Sequence, residues 1–523
     1  MKVPDGLLPG SGGGEPGGDG ASAAGGAGVG YGVTRMPELR LLIGGELVEA
    51  AKGGRREATS PGHGEVFASV AWGERSDAER AVEVAAGAAP GWARTTAAER
   101  AARCHAAAAA VERRRADLVG ALTEDQGKPL AEAADEVDEL VAYFRLAGED
   151  ASRVSGVIPP SVSPDRRAEL RRVPLGVVGV VVPWNWPYTM AAELVAPALA
   201  AGNTVVWVPA PSTTACSLLL AGVLAEAGWP PGVLNVVSGD GPEVGDAVVS
   251  HPLTAAVGFV GSVATGRRIA ARAAGKAQIL ELGGNGPLVV LDDADLDLVV
   301  PAVLESAYLC AGQSCTAGER FLVDRSLRAA FVDAVVGATD AEVVLGDPTE
   351  PGTTMGPLNN EGVAAKVGSQ VAEAVGKGAR LIRGGRREAQ RPTRLYYQPT
   401  ILDGVEASMT IAGEETFGPV VPVVEVAGDQ EALALTNSSP YGLLASVFTS
   451  DLERGLRFAE GARTGWVNVN LSTNTWESHL PFGGRSGSVS GTGRVGGSSV
   501  LERFSEWKTI LYRMRGAEME GSE

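Results

Sequence analysis

Apolar positions follow two different periods along this chain, and the change between them divides it. From about residue 77 to 154 the sequence is rich in Ala, Glu and Arg. Val137, Leu140, Val141 and Phe144 there recur at i, i+3, i+4 and i+7, the spacing of one buried helical stripe. Charge runs such as 112–115 then belong to solvated helix faces. After Pro174 short β-branched runs alternate with helical stretches, at 176–182, 204–208, 233–237, 256–260 and 278–282. Buried parallel strands read as near-continuous apolar runs, so the alternation predicts βαβ units around a parallel sheet. A second α/β stretch runs from about 287 to 469, with strands expected at 288–291, 321–323 and 420–426. Residues 1–35 are dominated by Gly, Ala and Pro and have few large apolar side chains to offset the entropy of ordering, which predicts a disordered tail.

Composition narrows the class of function. The chain has 523 residues, 45% of them hydrophobic and 21% charged, which excludes global disorder and suits two to four domains. Its net charge of −18 removes the basic footprint that nucleic acids and anionic membranes require. No run reaches the roughly 18 apolar residues of a membrane-spanning helix. Cys104, Cys216, Cys310 and Cys315 cannot make a disulfide framework in a chain of this size and lack zinc-site spacing, and His63, His105, His251 and His479 are scattered. No metal site is expected, and the setting expected is reducing and cytoplasmic. Small-molecule chemistry is the favoured class.

Parallel α/β sheets place ligands at the carboxyl ends of their strands, so chemistry is sought in the loops that leave them. The run 176–182 leads into PWNWP, where Asn185 lies between Trp184 and Trp186 and two prolines. The run 256–260 ends in Gly261 and Ser262, with Gly266 at a helix start. Glu281 stands at a strand tip in ELGGNGP, and AGQSCTAGER presents Cys315. A free cysteine is usually a small buried hydrophobe, and it becomes a nucleophile when a helix N-terminus or polarised surroundings favour the thiolate. A glutamate entering apolar surroundings needs a partner or a task. With an amide able to meet an oxyanion, these residues supply the three roles of acyl-transfer chemistry.

In their order, the segments PWNWP, GNTVVW, GFVGS, LELGGNGP, GQSC, EETFGPV, SPYGL and PFGG followed by SGTGR resemble those of the NAD(P)-dependent, non-acylating aldehyde dehydrogenase superfamily. The resemblance spans almost everything after Met36. It implies a Rossmann-type parallel-sheet cofactor domain (36–157 and 175–284), an α/β catalytic domain (285–483) and a small β oligomerisation arm (158–174 and 484–523). It further implies that Cys315 attacks an aldehyde, that Asn185 and the Cys315 backbone N–H hold the oxyanion, and that Glu281 activates water to hydrolyse the thioester. Trp184, Gly261 and Ser262 match positions near the cofactor pyrophosphate, Glu415 one at the nicotinamide ribose, and Phe417 one beside the ring. Trp186, Met190, Trp476 and Phe482 match the walls of the aldehyde tunnel. They suit an apolar or aromatic aldehyde, or a cationic aminoaldehyde held by cation–π contact with help from Glu477. A strand pair near 165–173 and a strand near 504–512 resemble the arms of homodimers and homotetramers.

The chain also departs from the family pattern. Val208 replaces a lysine and Pro211 a glutamate at the adenosine ribose, changes of opposite effect on a 2′-phosphate, so NAD is favoured with NADP possible. About two extra residues fall within 485–489, at the substrate entrance or the subunit contact. Leu194 and Val495 replace a lysine and a glutamate that interact near the base and can relay its proton, which predicts that thioester hydrolysis limits turnover. A CoA-acylating enzyme typically lacks the base that Glu281 provides, and intact Asn185, Glu281 and Cys315 argue against a catalytically silent protein with the same fold.

Overall fold

A computed structural model describes Met36 and residues 38–514, so the tail expected over 1–35 lies outside the described residues. The first helical stretch forms Arg75–Trp92, Ala97–Arg113, Arg115–Gln126 and Leu130–Ala151. Its stripe of Val137, Leu140, Val141 and Phe144 is buried, as the spacing requires.

The five β-branched runs become the parallel centre of an eight-stranded sheet, in the order Ala277–Glu281, Thr254–Val260, Val177–Val181, Thr204–Val208 and Leu234–Val236. Helices cover both faces, so every residue of Thr204–Val208 is buried and the strand shows no alternation. Antiparallel strands close the sheet: Gly491–Thr492 on one edge, Leu41–Ile43 and then Glu46–Val48 on the other. A second, seven-stranded sheet runs Arg380–Arg383, Thr400–Asp403, Val420–Val426, Arg320–Asp324, Pro287–Val290, Leu444–Phe448, Trp466–Val469, and is parallel except at its first strand.

The expected strand pair near 165–173 is a single strand, Arg166–Pro174, with one antiparallel bridge from Leu170 to Val157. Its partner is the other expected arm, Ser505–Arg513, in continuous antiparallel register from Ser505 opposite Pro174 to Arg513 opposite Arg166. The two arms therefore form one ribbon. Sequence spacing hides this pairing because more than three hundred residues separate the strands. Trp507, Leu511 and Tyr512 on the ribbon are exposed. Among the described residues no helix is long and apolar enough to cross a membrane.

Candidate active site

Glu281 ends the strand Ala277–Glu281, and the glycines behind it let the chain pass under the cysteine loop. A Cβ at Gly284 would lie 2.2 Å from the Cys315 carbonyl oxygen, so only glycine fits that crossing. The loop is latched from the far end of the chain: Ser490 Oγ donates to the Gly283 carbonyl at 2.7 Å and Leu282 N donates to the Ser490 carbonyl at 3.0 Å. The result brings together a thiol and a carboxyl, Cys315 and Glu281. Glu281 is 3% exposed and, among the described residues, its Oε1 has no hydrogen-bond partner. Burial first, and then the charge of Glu193, push its carboxyl well above the usual range. Burial and then the charge of Glu281 push the Cys315 thiol well above its ordinary value. Cys315 stands in a turn and not at a helix start, so no helix terminus favours its thiolate.

Cys315, Glu281 and Met190 line two cavities at once. The first, of about 370 Å³, is walled by Trp186, Trp476 and Phe482. Trp476 packs against Phe482 at 5.9 Å between ring centroids and against Tyr143 at 6.2 Å, which fixes its ring. Lys128, buried and paired with Glu136, places its Nζ 3.7 Å from the centre of the Trp186 ring. Glu477 is not part of this cavity: it is exposed and pairs with His479 at 3.5 Å. The acidic residues that do line it, besides Glu281, are Glu132, Asp135, Glu139, Glu193 and Glu305, and no Lys, Arg or His is among its lining residues.

The second cavity, of about 200 Å³, is bordered by Trp184, Asn185, Gly261, Ser262, Glu415 and Phe417. Gly261 takes φ +154, and a Cβ there would meet the Phe259 ring at 2.7 Å. Ser262 caps the helix Val263–Arg272, accepting from Thr265 N, so the first-turn amides of the helix lie beside the cavity. Glu415 Oε1 accepts from Gly284 N at 2.8 Å. Phe417 takes φ +59, and the left-handed turn is held by Glu319, whose carboxylate accepts from Thr416 N and Phe417 N. The Phe417 ring then meets Trp184 edge-on at 5.6 Å. A helix N-terminus, a glycine that admits close approach and a carboxylate over a slot between rings fit a dinucleotide.

Other expected residues fall elsewhere. Val208 is 1% exposed in the cluster around Leu41, Val177 and Val206, because the strand is covered on both faces, and it lines neither cavity. Pro211 is exposed at the start of a short helical turn and also lies outside both. Asn185 spends one amide N–H on the Gln313 carbonyl, at 2.9 Å. Leu194 and Val495 are buried in one apolar cluster, so no charge is stranded where an ion pair is missing. No residue of 485–489 lines either cavity; Arg485 N and Val489 N donate to Gly442 and Pro440 carbonyls, which seats the longer loop on that segment.

Comparison with known proteins matches residues 47–510 to the profile of the Aldehyde dehydrogenase family. A mitochondrial succinate-semialdehyde dehydrogenase of Arabidopsis thaliana is 37% identical over 480 residues, 90% of this chain and 88% of that protein. A chloroplastic betaine aldehyde dehydrogenase of Beta vulgaris is 36% identical over 485 residues, 91% of this chain and 96% of that protein. A crystal structure of betaine aldehyde dehydrogenase from Staphylococcus aureus in complex with NAD+ has a TM-score of 0.88 and 32% identity, covering 95% of this chain and 98% of that one.

Proposed function

Since the chain belongs to the aldehyde dehydrogenase family and is an NAD(P)-dependent oxidoreductase, we propose that it oxidises a cationic aminoaldehyde to its carboxylate through a covalent intermediate on Cys315. The observation that carries the reading is the thiol–carboxyl pair at the junction of the two cavities. The Cys315 thiol gives its proton to solvent water, and the thiolate attacks the aldehyde carbonyl from the aromatic side. The second Asn185 amide N–H and the Cys315 backbone N–H are the oxyanion donors. Bound NAD(P)+ supplies the hydride acceptor, held by Ser262 and the helix behind it, by Glu415 and by Phe417. Glu281 then takes a proton from water, which attacks the thioester and frees the acid.

Aromatic walls suit either an apolar or a cationic substrate, and five carboxylates beside those walls favour the cation. Relatives named for succinate semialdehyde would act on a carboxylate, yet here no lining cation is available to meet one. NAD is the cofactor proposed over NADP. The exposed ribbon 166–174 and 505–513 supports a homodimer or homotetramer, and four free cysteines support a reducing cytoplasm. The test is the rate of cofactor reduction with NAD+ or NADP+ across cationic, neutral and anionic aldehydes of equal length. Preference for the cationic member is expected, and preference for the anionic one would overturn the substrate reading.

A further inference from the structure

We infer that the aromatic cavity takes an aldehyde carrying two or more ammonium groups along an alkyl chain, with Glu193 as the inner anchor and Glu139, Asp135 and Glu305 as outer ones. The inference rests on the cationic reading above and deepens it. Glu193 is 1% exposed on the helix Thr189–Ala200, and its Oε1 accepts from the Tyr143 hydroxyl at 3.1 Å. Among the described residues its Oε2 has no hydrogen-bond partner, although the residue lines the cavity. A buried carboxyl with an idle oxygen is costly unless something fills its need. Tyr143 is positioned by Trp476, so the idle oxygen stands beside an aromatic wall, the surroundings an ammonium favours. Of the five extra carboxylates Glu193 alone is buried, which makes it the innermost.

The remaining acids lead away from it. Glu132, Asp135 and Glu139 recur at i, i+3 and i+7 on the helix Leu130–Ala151, which places them on one face over roughly 10 Å at 1.5 Å per residue. Glu132 is engaged by the Cys310 N–H, and Glu139 by the Thr189 hydroxyl, through one oxygen each. Glu305, on the helix Leu296–Tyr308, is exposed, as is Asp135. Exposure thus rises from Glu193 to Glu139 to Asp135 and Glu305, a run of carboxylates from the reacting thiol to the surface. One ammonium would answer one of them. A short methylene spacer is about as long as one helical turn of about 5.4 Å, so a chain with successive ammonium groups meets successive acids. The cavity, about 370 Å³, is roughly twelve times the 30 Å³ share of a water molecule, which is room for such a chain. Burial holds Glu193 up at about 8 and Glu139 at about 7, so a polycation entering would draw protons from the empty site.

The experiment compares kcat/KM for a ω-aminoaldehyde with one ammonium, its N-aminoalkyl homologue with two, uncharged alkyl aldehydes of both lengths, and a carboxylate semialdehyde. A gain of at least about tenfold from one ammonium to two, beyond any gain between the uncharged pair, is expected. Glu305→Gln should bring the dication-to-monocation ratio down towards one, and Glu193→Gln should raise KM for the cationic aldehydes more than for the uncharged ones. With the unaltered enzyme, a triamine lacking an aldehyde should inhibit competitively against the aminoaldehyde and more strongly than a monoamine. Equal kcat/KM for one and two ammonium groups, with equal inhibition by the two amines, overturns the inference while leaving the cationic reading intact. Uncharged or anionic aldehydes outrunning the monocation would instead overturn the reading on which it rests.

Discussion

Replacing Glu281 by Gln separates the two halves of the proposed reaction. Gln keeps the size and shape of a side chain that is 3% exposed, so the strand tip and the Gly284 crossing stay in place. What is lost is a base, and base catalysis contributes about 10²–10⁴ in rate, or about 2.7–5.4 kcal/mol at 1.36 kcal/mol per decade. Thiol attack suffers less, because the Glu281 charge is itself one of the causes that raise the Cys315 thiol, and Gln removes that repulsion. Hydrolysis lacks the proton relay that the family resemblance implies, since Leu194 and Val495 are apolar where that pair would stand. The unaltered enzyme should already hydrolyse its thioester slowly and show a burst of about one reduced cofactor per active site in rapid mixing, followed by a slower steady rate. In Glu281→Gln the burst should remain and the steady rate should fall by about 10²–10⁴. Loss of the burst together with turnover would place the essential work of Glu281 in thiol attack. A linear trace in the unaltered enzyme, with a primary isotope effect from deuterated aldehyde, would refute the account of hydrolysis as limiting.

Cys315→Ser should abolish dehydrogenase turnover while Cys310→Ser largely preserves it, since Cys310 is buried and lines neither cavity whereas Cys315 is partly exposed and lines both; an alkylating agent followed by peptide mapping should mark Cys315 first. Folding stability of the ligand-free protein should decline as pH rises from about 5 to 8, measured by thermal unfolding. Glu132 and Glu193 are raised to about 8 and Glu139 and Glu319 to about 7, so the native state binds more protons than the unfolded chain in that window, and the slope is negative. Leu511→Asp on the ribbon should lower the mass seen by light scattering, because the residue is 59% exposed in the single chain and an apolar edge of this kind is covered in an oligomer; an unchanged mass would exclude the ribbon as the interface.

The parallel centre of the first sheet and three strands of the second were legible because period and burial agree: a strand covered on both faces is a run of apolar residues, as in Thr204–Val208, whereas Thr400–Asp403, Leu444–Phe448 and Trp466–Val469 went unread. Pieces that close the sheets escaped. Leu41–Ile43 and Glu46–Val48 have three residues each and Gly491–Thr492 two, too short for a period to emerge. Residues 165–173 read as a strand pair of their own, because the true partner of Arg166–Pro174, Ser505–Arg513, lies more than three hundred residues away.

The site divides in a similar way, and the division has a physical cause. Cys315, Glu281 and Glu415 sit in glycine-rich loops at strand ends, where backbone geometry demands particular residues and so leaves a written signature. The carboxylates of the aromatic cavity leave none. Glu132, Asp135 and Glu139 belong to an amphipathic helix whose acidic residues read as an ordinary wet face, and Glu193 lies in AELVAPALA, where a lone acid among apolar residues could equally be a packing exception. Only tertiary packing shows that Glu132, Asp135 and Glu139 face Trp476 and Phe482 across a cavity, and that Glu193 closes it from a second helix with one oxygen idle. A signal was still present: the helix Thr189–Ala200 is buried at every position, and a glutamate at such a position requires a partner. Tyr143 satisfies one oxygen. The other is the atom we propose to meet a substrate ammonium, and on that proposal the choice among aldehydes is written in a helix interior and not in the loops that carry the reaction.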